Sequence, residues 1–242
     1  MTRRRTMKKV RVAMCWDDGV FTDVKAIAIF KAHKAKATFN LCPGSAQNED
    51  VMPRWVMAGQ GWSYNGFIGG KVGLDNIRKV YGDFQVASHC WKHEVAGNCQ
   101  HAEFMEGAIK AREWLENTFQ RPCTGFAWPC GGVTPEAIAD LKAAGFTYGR
   151  STKNVSDLTE NKDVLDLASN CHFMARDFIN RYENAKKNCG LFYFWGHTYE
   201  MMDYDRLYEQ LDAKIKYISD DAEAEWIDVV DLAKELQAKI QG

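Results

Sequence analysis

The chain lacks the features of proteins that bind polyanions or cross membranes. Its 31 Lys and Arg residues are balanced by 32 Asp and Glu residues, so no excess charge attracts nucleic acid or an anionic membrane. No apolar run reaches membrane-spanning length. A basic cluster lies within residues 1–9, but the apolar region and small-residue cleavage site of a signal peptide are absent. We interpret residues 1–9 as a solvated tail and expect neither nucleic acid nor a membrane as a partner.

Disulfide and zinc-finger patterns are also absent. The chain has eight cysteines, but none forms a C-x-x-C pair, and a domain of 242 residues does not need disulfides to fold. We therefore expect reduced thiols and a cytoplasmic location, with a small apolar packing role for Cys15, Cys90 and Cys130. A composition of 46% hydrophobic residues is enough for one large core, so we predict a single catalytic domain over residues 10–242.

Short apolar runs alternate with helical stretches, which is typical of repeated βα units. The predicted strands are 10–15, 37–41, 84–88, 125–128, 146–149, 164–168, 191–195 and 225–229. The predicted helices are 23–33, 74–80, 102–119, 134–144, 177–187, 204–218 and 230–240. Because polar motifs follow strands along the whole chain, we predict a distorted, TIM-like α/β barrel of about seven strands rather than an open sheet. The glycine-rich segment 43–70 is predicted to be an inserted loop region, with or without a functional role.

Two histidines four residues apart, His89 and His93, are a predicted metal-binding pair. A helical turn or a tight loop would place both rings on one side of the chain. Asp18 is the predicted third ligand, which gives a two-histidine, one-carboxylate site with positions left for water and substrate. Zinc fits this set, and cobalt, nickel and iron also fit. Either histidine taken alone could instead be structural.

Other polar residues of the motifs are suited to moving protons. Gly19 permits a turn after the pair Asp17 and Asp18, so that one carboxylate can bind the metal while its neighbour accepts a proton from water. His197 follows the apolar run 191–195 and is placed to act as a general acid. The alternatives are a polar strand end or a helix N-cap for the aspartates and a buried structural role for the histidine.

Taken in order, these motifs resemble the polysaccharide deacetylase family, carbohydrate esterase family 4, whose domain is also known as the NodB homology domain. The resemblance covers residues 10–200 and depends on the segments 16–19, 36–40, 86–93, 126–131, 141–146 and 194–197. It implies a metal-dependent hydrolase that removes acetyl groups, above all N-acetyl groups, from a carbohydrate or oligosaccharide and releases acetate. It also implies roles for individual residues: Asp17 is the base, Asp18, His89 and His93 bind the metal, His197 is the acid, and a backbone amide at or near Cys130 binds the oxyanion.

Two parts of the family pattern are missing. Many members carry an arginine in the third motif that pairs with the catalytic aspartate, whereas this chain has Ala127 there. The fourth-motif aspartate that partners the acid histidine is also not identifiable, and Asp163, Asp166 and His172 are the local candidates. For His172, a role in the site and a buried structural role stay open.

Two tryptophans, Trp128 and Trp91, are predicted to line a cleft for a sugar, with simple packing as the alternative. The expected partner is an acetylated carbohydrate. Two other functions stay open, namely hydrolysis of a non-sugar amide on the same scaffold and carbohydrate binding by a degenerate site. The identity of the sugar, the choice between N- and O-deacetylation and the oligomeric state do not follow from the sequence.

Overall fold

A computed structural model describes residues 9–57, 59 and 61–241 of the chain, so the predicted tail lies outside the described residues except for the exposed Lys9. The strands are β1 Val10–Asp17, β2 Thr38–Leu41, β3 Arg54–Trp55, β4 Phe67–Ile68, β5 Gln85–Ser88, β6 Gly125–Ala127, β7 Tyr148–Asn154, β8 Leu167–Ser169, β9 Cys171–His172, β10 Leu191–Gly196 and β11 Ala224–Trp226. The helices are α1 Asp23–Ala32, α2 Leu74–Tyr81, α3 His101–Phe119, α4 Pro135–Ala143, α5 Phe178–Lys187, α6 Asp205–Ser219 and α7 Val229–Gln241. None of these helices combines the length and the apolar character needed to cross a membrane.

Parallel strands form the wall of a barrel. Around the wall the order is β1, β2, β5, β6, β7, the segment 167–172 and β10. The segment 167–172 closes the barrel because β8 pairs with β7, β9 pairs with β10, and only Asn170 separates β8 from β9. The side-chain oxygen of Asn170 accepts a hydrogen bond from the main-chain N–H of Tyr193 in β10, at 2.9 Å. The predicted distorted α/β barrel of about seven strands is confirmed.

Helices cover the barrel through apolar stripes. In α3 the side chains of Phe104, Ala108, Ala111 and Leu115 recur every three or four residues, and all four are fully buried. Burying a side chain such as Leu or Phe contributes about 1.5–3 kcal/mol, so this stripe fastens the helix to the wall. The next helix, α4, begins where Thr134 accepts a hydrogen bond from the N–H of Ala137.

Apart from small shifts at the ends of elements and the short strand β9, which was not predicted, the observed elements differ from the predicted ones in three places. β7 starts two residues after the start of the predicted strand 146–149 and continues to Asn154, through polar residues that hid its length. The predicted strand 164–168 starts as a short 3-10 turn, and only β8 is extended. The segment 43–70 is not only loop, because β3 and β4 form an antiparallel hairpin within it.

Candidate metal and acid–base site

The carboxyl ends of four neighbouring strands meet at one end of the barrel. In β1, Asp17 lies opposite Asn40 of β2, and Trp16 lies opposite Gly196 of β10. β5 is the next strand beyond β2 and ends just before His89. Because parallel strands end at the same edge, the polar residues that follow them come together there.

Asp18, His89 and His93 form the predicted ligand cluster. The chain turns sharply after β1, with φ angles of 78° at Asp18 and 65° at Gly19, so the two neighbouring carboxylates point in different directions. An Asp18 carboxylate oxygen lies 3.7 Å from Nε2 of His89 and 3.8 Å from Nε2 of His93. One atom from each of the three side chains lies within 4.8 Å of the others, a spacing that one ion can bridge.

The protonation state of His89 suits a metal ligand. Its Nδ1 lies 2.8 Å from the main-chain oxygen of Ala127, and because a carbonyl only accepts, Nδ1 must carry the proton. The lone pair is therefore on Nε2, the atom that faces Asp18. Burial lowers the pKa of His89 to about 4, so the ring is neutral at pH 7. A ligating histidine that donates its other N–H to a carbonyl is the usual arrangement around protein-bound metals, and these residues fit a divalent ion.

Lys71 supports the turn that carries Asp18. Its ammonium group donates to the main-chain carbonyl of Asp18, and its side chain lines the same cavity. Lys71 directly follows the segment 43–70 that was predicted to be an insertion, and Trp62, Ile68 and Gly69 of that segment line the same cavity. No motif in the sequence predicted a role for this lysine.

Asp17 is buried and held by two side chains. Nδ2 of Asn40 donates to one carboxylate oxygen at 2.7 Å, and the guanidinium of Arg150 pairs with the other. Only 1% of Arg150 and 2% of Asp17 is exposed. Burial alone would raise the pKa of Asp17, but Arg150, His89 and His197 more than offset it, so the pKa lies well below its usual range. Asp17 is therefore ionised and has a fixed orientation.

Arg150 takes the place of the arginine that is missing from the third motif. It lies on β7, directly opposite Ala127 of β6 in the strand register. Residues opposite each other on neighbouring strands point to the same face, so the cation reaches Asp17 from one strand further along the wall. Its guanidinium also lies 4.5 Å from the ring centroid of Trp195. In the sequence, Arg150 directly follows the predicted strand 146–149, which could have indicated that it lies near the site.

His197 faces Asp17 on the other side. Its Nε2 lies 3.6 Å from a carboxylate oxygen of Asp17, and its ring stacks on Tyr199 with centroids 4.8 Å apart. The carboxylate next to it comes from Glu200, three residues later: one Glu200 oxygen accepts from the main-chain N–H of His197 at 2.9 Å and lies 3.5 Å from Nδ1. The Nδ1 contact is too long for a good hydrogen bond.

His172 completes this arrangement from β9. Its Nδ1 accepts from the N–H of Met174 at 3.3 Å, so Nε2 carries the proton and donates to Glu200 at 2.8 Å. Burial raises the pKa of Glu200, but the hydrogen bonds from His172 and His197 reverse this and lower it to about 2. For His197, burial lowers the pKa, but Glu200 and Asp17 raise it above the usual value. Glu200 thus favours the protonated form of His197.

The other two candidates for the partner of His197, Asp163 and Asp166, contact other residues instead. Asp163 caps a short 3-10 turn by accepting from the N–H of Leu165 at 2.8 Å. Asp166 forms an ion pair with Lys153 on the outside of the barrel. Both precede β8 and therefore lie at the opposite end of that strand from the site. The partner was missed because Glu200 follows His197 in the chain instead of preceding it.

A cavity of about 550 Å³ opens over these groups. Its walls include Trp128, Cys130 and Tyr199 together with the ligand cluster, Asp17, Arg150 and His197. Trp128 is fully buried, and its indole N–H donates to the main-chain oxygen of Leu165 at 2.7 Å. Cys130 is exposed at the cavity with a φ angle of 51°, so the expectation that it packs in the core was wrong. Cys15 and Cys90 are buried as expected.

Trp91 does not line the cavity, contrary to prediction. The preceding residue, Cys90, has a φ angle of 61°, and this turn directs Trp91 away from the ligand cluster. Its ring packs beside Gly44, where an added Cβ would come within 2.2 Å of the indole nitrogen. Lys110 and Trp114 of α3 contact the ring as well, with centroid distances of 4.5 Å and 6.4 Å. Trp91 thus fastens the loop between His89 and His93 to α3.

The molecule is thus an α/β barrel with a cavity, lined by both ionisable and aromatic side chains, at the carboxyl ends of its strands. Residues 4–149, more than half of the chain, match the family model described as polysaccharide deacetylase. The chain belongs to the polysaccharide deacetylase family.

Solved structures of this family share the fold. The chitin deacetylase of the fungal pathogen Colletotrichum lindemuthianum is 16% identical with a TM-score of 0.57, covering 93% of this chain and 88% of that chain. The peptidoglycan deacetylase PdaC of Bacillus subtilis is 15% identical with a TM-score of 0.54, covering 97% and 94%. A mutant of a CE4 family pseudoenzyme is 13% identical with a TM-score of 0.54, covering 94% and 68%. No curated protein sequence matches the chain.

Proposed function

We propose that this protein is a divalent-metal-dependent hydrolase that removes acetyl groups, chiefly N-acetyl groups, from a carbohydrate and releases acetate. One observation carries the proposal: the cluster of Asp18, His89 and His93 shares a cavity with an ionised Asp17 and with His197. Metal-assisted hydrolysis requires both ion ligands and separate groups that move protons.

Each residue of the cavity has a role in this reaction. Asp18, His89 and His93 would hold the ion, which when bound supplies Lewis-acid chemistry for a water molecule and a carbonyl group. Asp17, oriented by Asn40 and Arg150, accepts the proton of the attacking water. His197, whose protonated form is favoured by Glu200, donates a proton to the leaving nitrogen.

Zinc is the metal that we propose, since two neutral imidazoles and one carboxylate are typical ligands of catalytic zinc. Cobalt, nickel and iron remain candidates with the same ligands. The backbone at Cys130 lies at the cavity, and its amide is our candidate for stabilising the oxyanion. Residues 10–242 form the proposed catalytic domain. We also propose a reducing compartment such as the cytoplasm, because all eight cysteines are free thiols.

The charged residues that contact Asp17 and His197 favour an active enzyme over a degenerate binding protein. The case for degeneration depended on Ala127 and on the missing fourth-motif aspartate. Arg150 and Glu200 supply the corresponding charges from other positions. An acetylated sugar is the proposed substrate because aromatic side chains, including Trp62 and Tyr199, form part of the cavity wall.

The test measures acetate release from a panel of N- and O-acetylated sugars, oligosaccharides and non-sugar amides, with and without chelator. We expect acetate from acetylated carbohydrate, loss of activity with chelator and recovery with zinc. Asp17→Asn should keep its metal while the turnover number falls by about 10²-fold or more, the usual contribution of a general base.

The matched control is Asp205→Asn, which removes a carboxylate from the protein surface, where it pairs with Lys25. It should leave both metal content and turnover unchanged. Chelator-insensitive sugar binding without acetate release would contradict the proposal and favour the binding protein. Acetate release only from non-sugar amides would mean that the substrate is not a carbohydrate, although the proposed metal chemistry would stay the same.

A further inference from the structure

A second group of potential metal ligands lies beside the proposed catalytic site. One ring nitrogen of His172, one ring nitrogen of His197 and a carboxylate oxygen of Glu200 all lie within 4.8 Å of one another. Among the described residues, only this group and the proposed catalytic ligand cluster bring three such atoms so close together. Two histidines and one glutamate are a common ligand set of protein-bound zinc. We call these three residues the second cluster.

The distances within the second cluster are close to those that a zinc ion requires. The Glu200 oxygen lies 2.8 Å from Nε2 of His172 and 3.5 Å from Nδ1 of His197. Around a tetrahedral ion with bonds of about 2.0–2.1 Å, neighbouring ligand atoms are about 3.3 Å apart. The two histidines come from paired strands, because His172 of β9 lies opposite Trp195 of β10, two residues before His197. Small side-chain shifts would therefore bring all three atoms into contact with one ion.

The Nδ1 atom of His197 has no hydrogen-bond partner in the described part of the chain, although it is buried. Buried polar atoms are rarely left in this state. Nδ1 faces Glu200, and Nε2 of the same ring faces Asp17 at 3.6 Å. When the ring is neutral and its proton lies on Nε2, the lone pair of Nδ1 points at the Glu200 carboxylate. A cation between these two acceptors would satisfy both.

We propose that His172, His197 and Glu200 form a second zinc site, and that zinc bound there inhibits the enzyme. The proposed acid form of His197 carries a proton on both ring nitrogens, and an ion at Nδ1 excludes one of these protons. The remaining Nε2 proton is a much weaker acid, because its loss would leave an anionic ring. The metal site itself is independent of the proposed function, whereas the inhibition rests on it.

The second site should bind zinc more weakly than the proposed catalytic site. Nε2 of His172 donates a hydrogen bond to Glu200, which zinc must displace. The proton of the ring would then move to Nδ1, which gives up its 3.3 Å hydrogen bond from the main-chain N–H of Met174. His89 has no such cost, because its Nε2 already presents a lone pair. Zinc should therefore activate the enzyme at low concentration and inhibit it at higher concentration.

The first test titrates metal-free protein without an affinity tag with zinc, and measures the bound ions per chain by equilibrium dialysis. Wild type should bind a second ion at higher zinc concentration. His172→Gln should bind only one, because glutamine keeps an N–H for Glu200 but is a poor zinc ligand. His93→Ala should lose the first ion and keep the second. His101→Ala is the matched control, since His101 pairs with Asp140 on the outside of the barrel, and it should bind both ions.

The second test follows acetate release over the same range of zinc concentrations. In wild type, activity should rise and then fall by about 10²-fold as the second site fills, the usual contribution of a general acid. In His172→Gln, with activity expressed relative to its own maximum, the same fall should require about tenfold more zinc or more.

Three binding results would overturn the second site: one ion per chain in wild type at every zinc concentration, a second ion retained by His172→Gln, or a second ion lost in His101→Ala. A second ion that binds without lowering activity would overturn the inhibition. Failure of the proposed function gives a different result, because no carbohydrate would then release acetate at any zinc concentration, while the count of bound ions would still test the site.

Discussion

At the scale of single residues, the buried pair of Asp17 and Arg150 has the largest energetic consequences. Removing two charges from water costs several kcal/mol per ion, and the pair recovers this only through close contact. Asn40 satisfies a second oxygen of Asp17, which reduces the cost further. The pair is thus better explained by the proposed catalysis than by stability, since it keeps the proposed base ionised in a buried position.

Arg150→Ala should reduce both stability and activity. Removing one partner leaves Asp17 buried and unpaired, which costs about 3–5 kcal/mol in the free energy of unfolding. The pKa of Asp17 then rises because Arg150 no longer helps to offset burial, and turnover should fall by about 10²-fold. Urea unfolding and acetate release measure the two effects.

The pairing of β6 with β7 suggests a second substitution that should restore activity to Arg150→Ala. Because Ala127 lies opposite Arg150, the double variant Ala127→Arg/Arg150→Ala moves the cation back to the position it occupies in many family members. We expect the double variant to recover part of the lost activity, and Ala127→Arg alone to be destabilised by overpacking. Equal activity in Arg150→Ala and wild type would show that Arg150 does not position the base.

Glu200→Gln tests the second charge pair through pH. Glu200 raises the pKa of His197, so its neutral replacement lowers that pKa. The acid form of His197 is then lost at lower pH, and the alkaline limb of the kcat/KM profile should move to lower pH. Glu200→Asp keeps the charge and should keep more of the wild-type profile. If the alkaline limb of the Glu200→Gln profile stays at the wild-type pH, Glu200 is not a positioning residue for His197.

At the scale of elements, buried polar contacts fasten α1 to its neighbours near the site. Asp23, the first residue of α1, is fully buried. It accepts hydrogen bonds from Tyr81 of α2 at 2.7 Å and from Thr198 at 2.6 Å. Thr198 directly follows His197, so this network fixes the turn that carries the proposed acid.

The network makes stability depend on pH. Burial raises the pKa of Asp23 to about 7 in the folded protein, against 3.8 for an unperturbed group. The folded state therefore holds a proton that the unfolded state has lost between pH 4 and 7, and the contribution of Asp23 to stability falls as pH rises through this range. The full effect is roughly 4 kcal/mol.

Asp23→Asn should remove this dependence. In metal-free samples, the unfolding free energy of wild type relative to Asp23→Asn should decrease from pH 4 to pH 7. The pKa of Asp205 is lowered, chiefly by its hydrogen bond from Lys25, so Asp205→Asn should not reproduce this decrease. Parallel stability profiles for wild type and Asp23→Asn would mean that Asp23 is ionised throughout.

Helices and short apolar strands could be predicted from the sequence because their residues repeat with the period of the element. The α3 stripe from Phe104 to Leu115 is an example. β7 could not be bounded, because Arg150 and Ser151 are polar yet buried, and their burial depends on partners distant in the chain. The hairpin β3–β4 was missed for a related reason: each strand has only two residues, too few to show a period.

At the scale of the whole molecule, the site was predictable where its residue types carry the chemistry themselves. The spacing of His89 and His93 and the pair of aspartates indicated a metal site before the fold was known. Arg150 was not assigned because its role depends on which strands become neighbours, and Glu200 was not assigned because it follows His197 in the chain instead of preceding it. The resemblance to the family indicated the histidines and the aspartates. It did not indicate Arg150 and Glu200, because these charged residues lie at other positions than those of the family motifs.

Metal binding should couple the site to the stability of the whole barrel. The three proposed ligands follow two different strands, β1 and β5, so an ion that binds only the folded chain would join segments about 70 residues apart. At a free zinc concentration 100 times the dissociation constant, the ion stabilises the folded state by about 2.7 kcal/mol. For a domain of this size, that is a rise in Tm of about 5–10 °C.

Thermal unfolding of the chelated and the zinc-loaded protein measures this difference directly. His93→Ala should lose most of the rise in Tm, because one of three ligands is gone, while its chelated form should unfold near the chelated wild type. His101→Ala is the matched control: His101 pairs with Asp140 on the outside of the barrel, and its removal should leave the zinc response intact. An undiminished zinc response in His93→Ala would mean that the ion binds elsewhere in the protein.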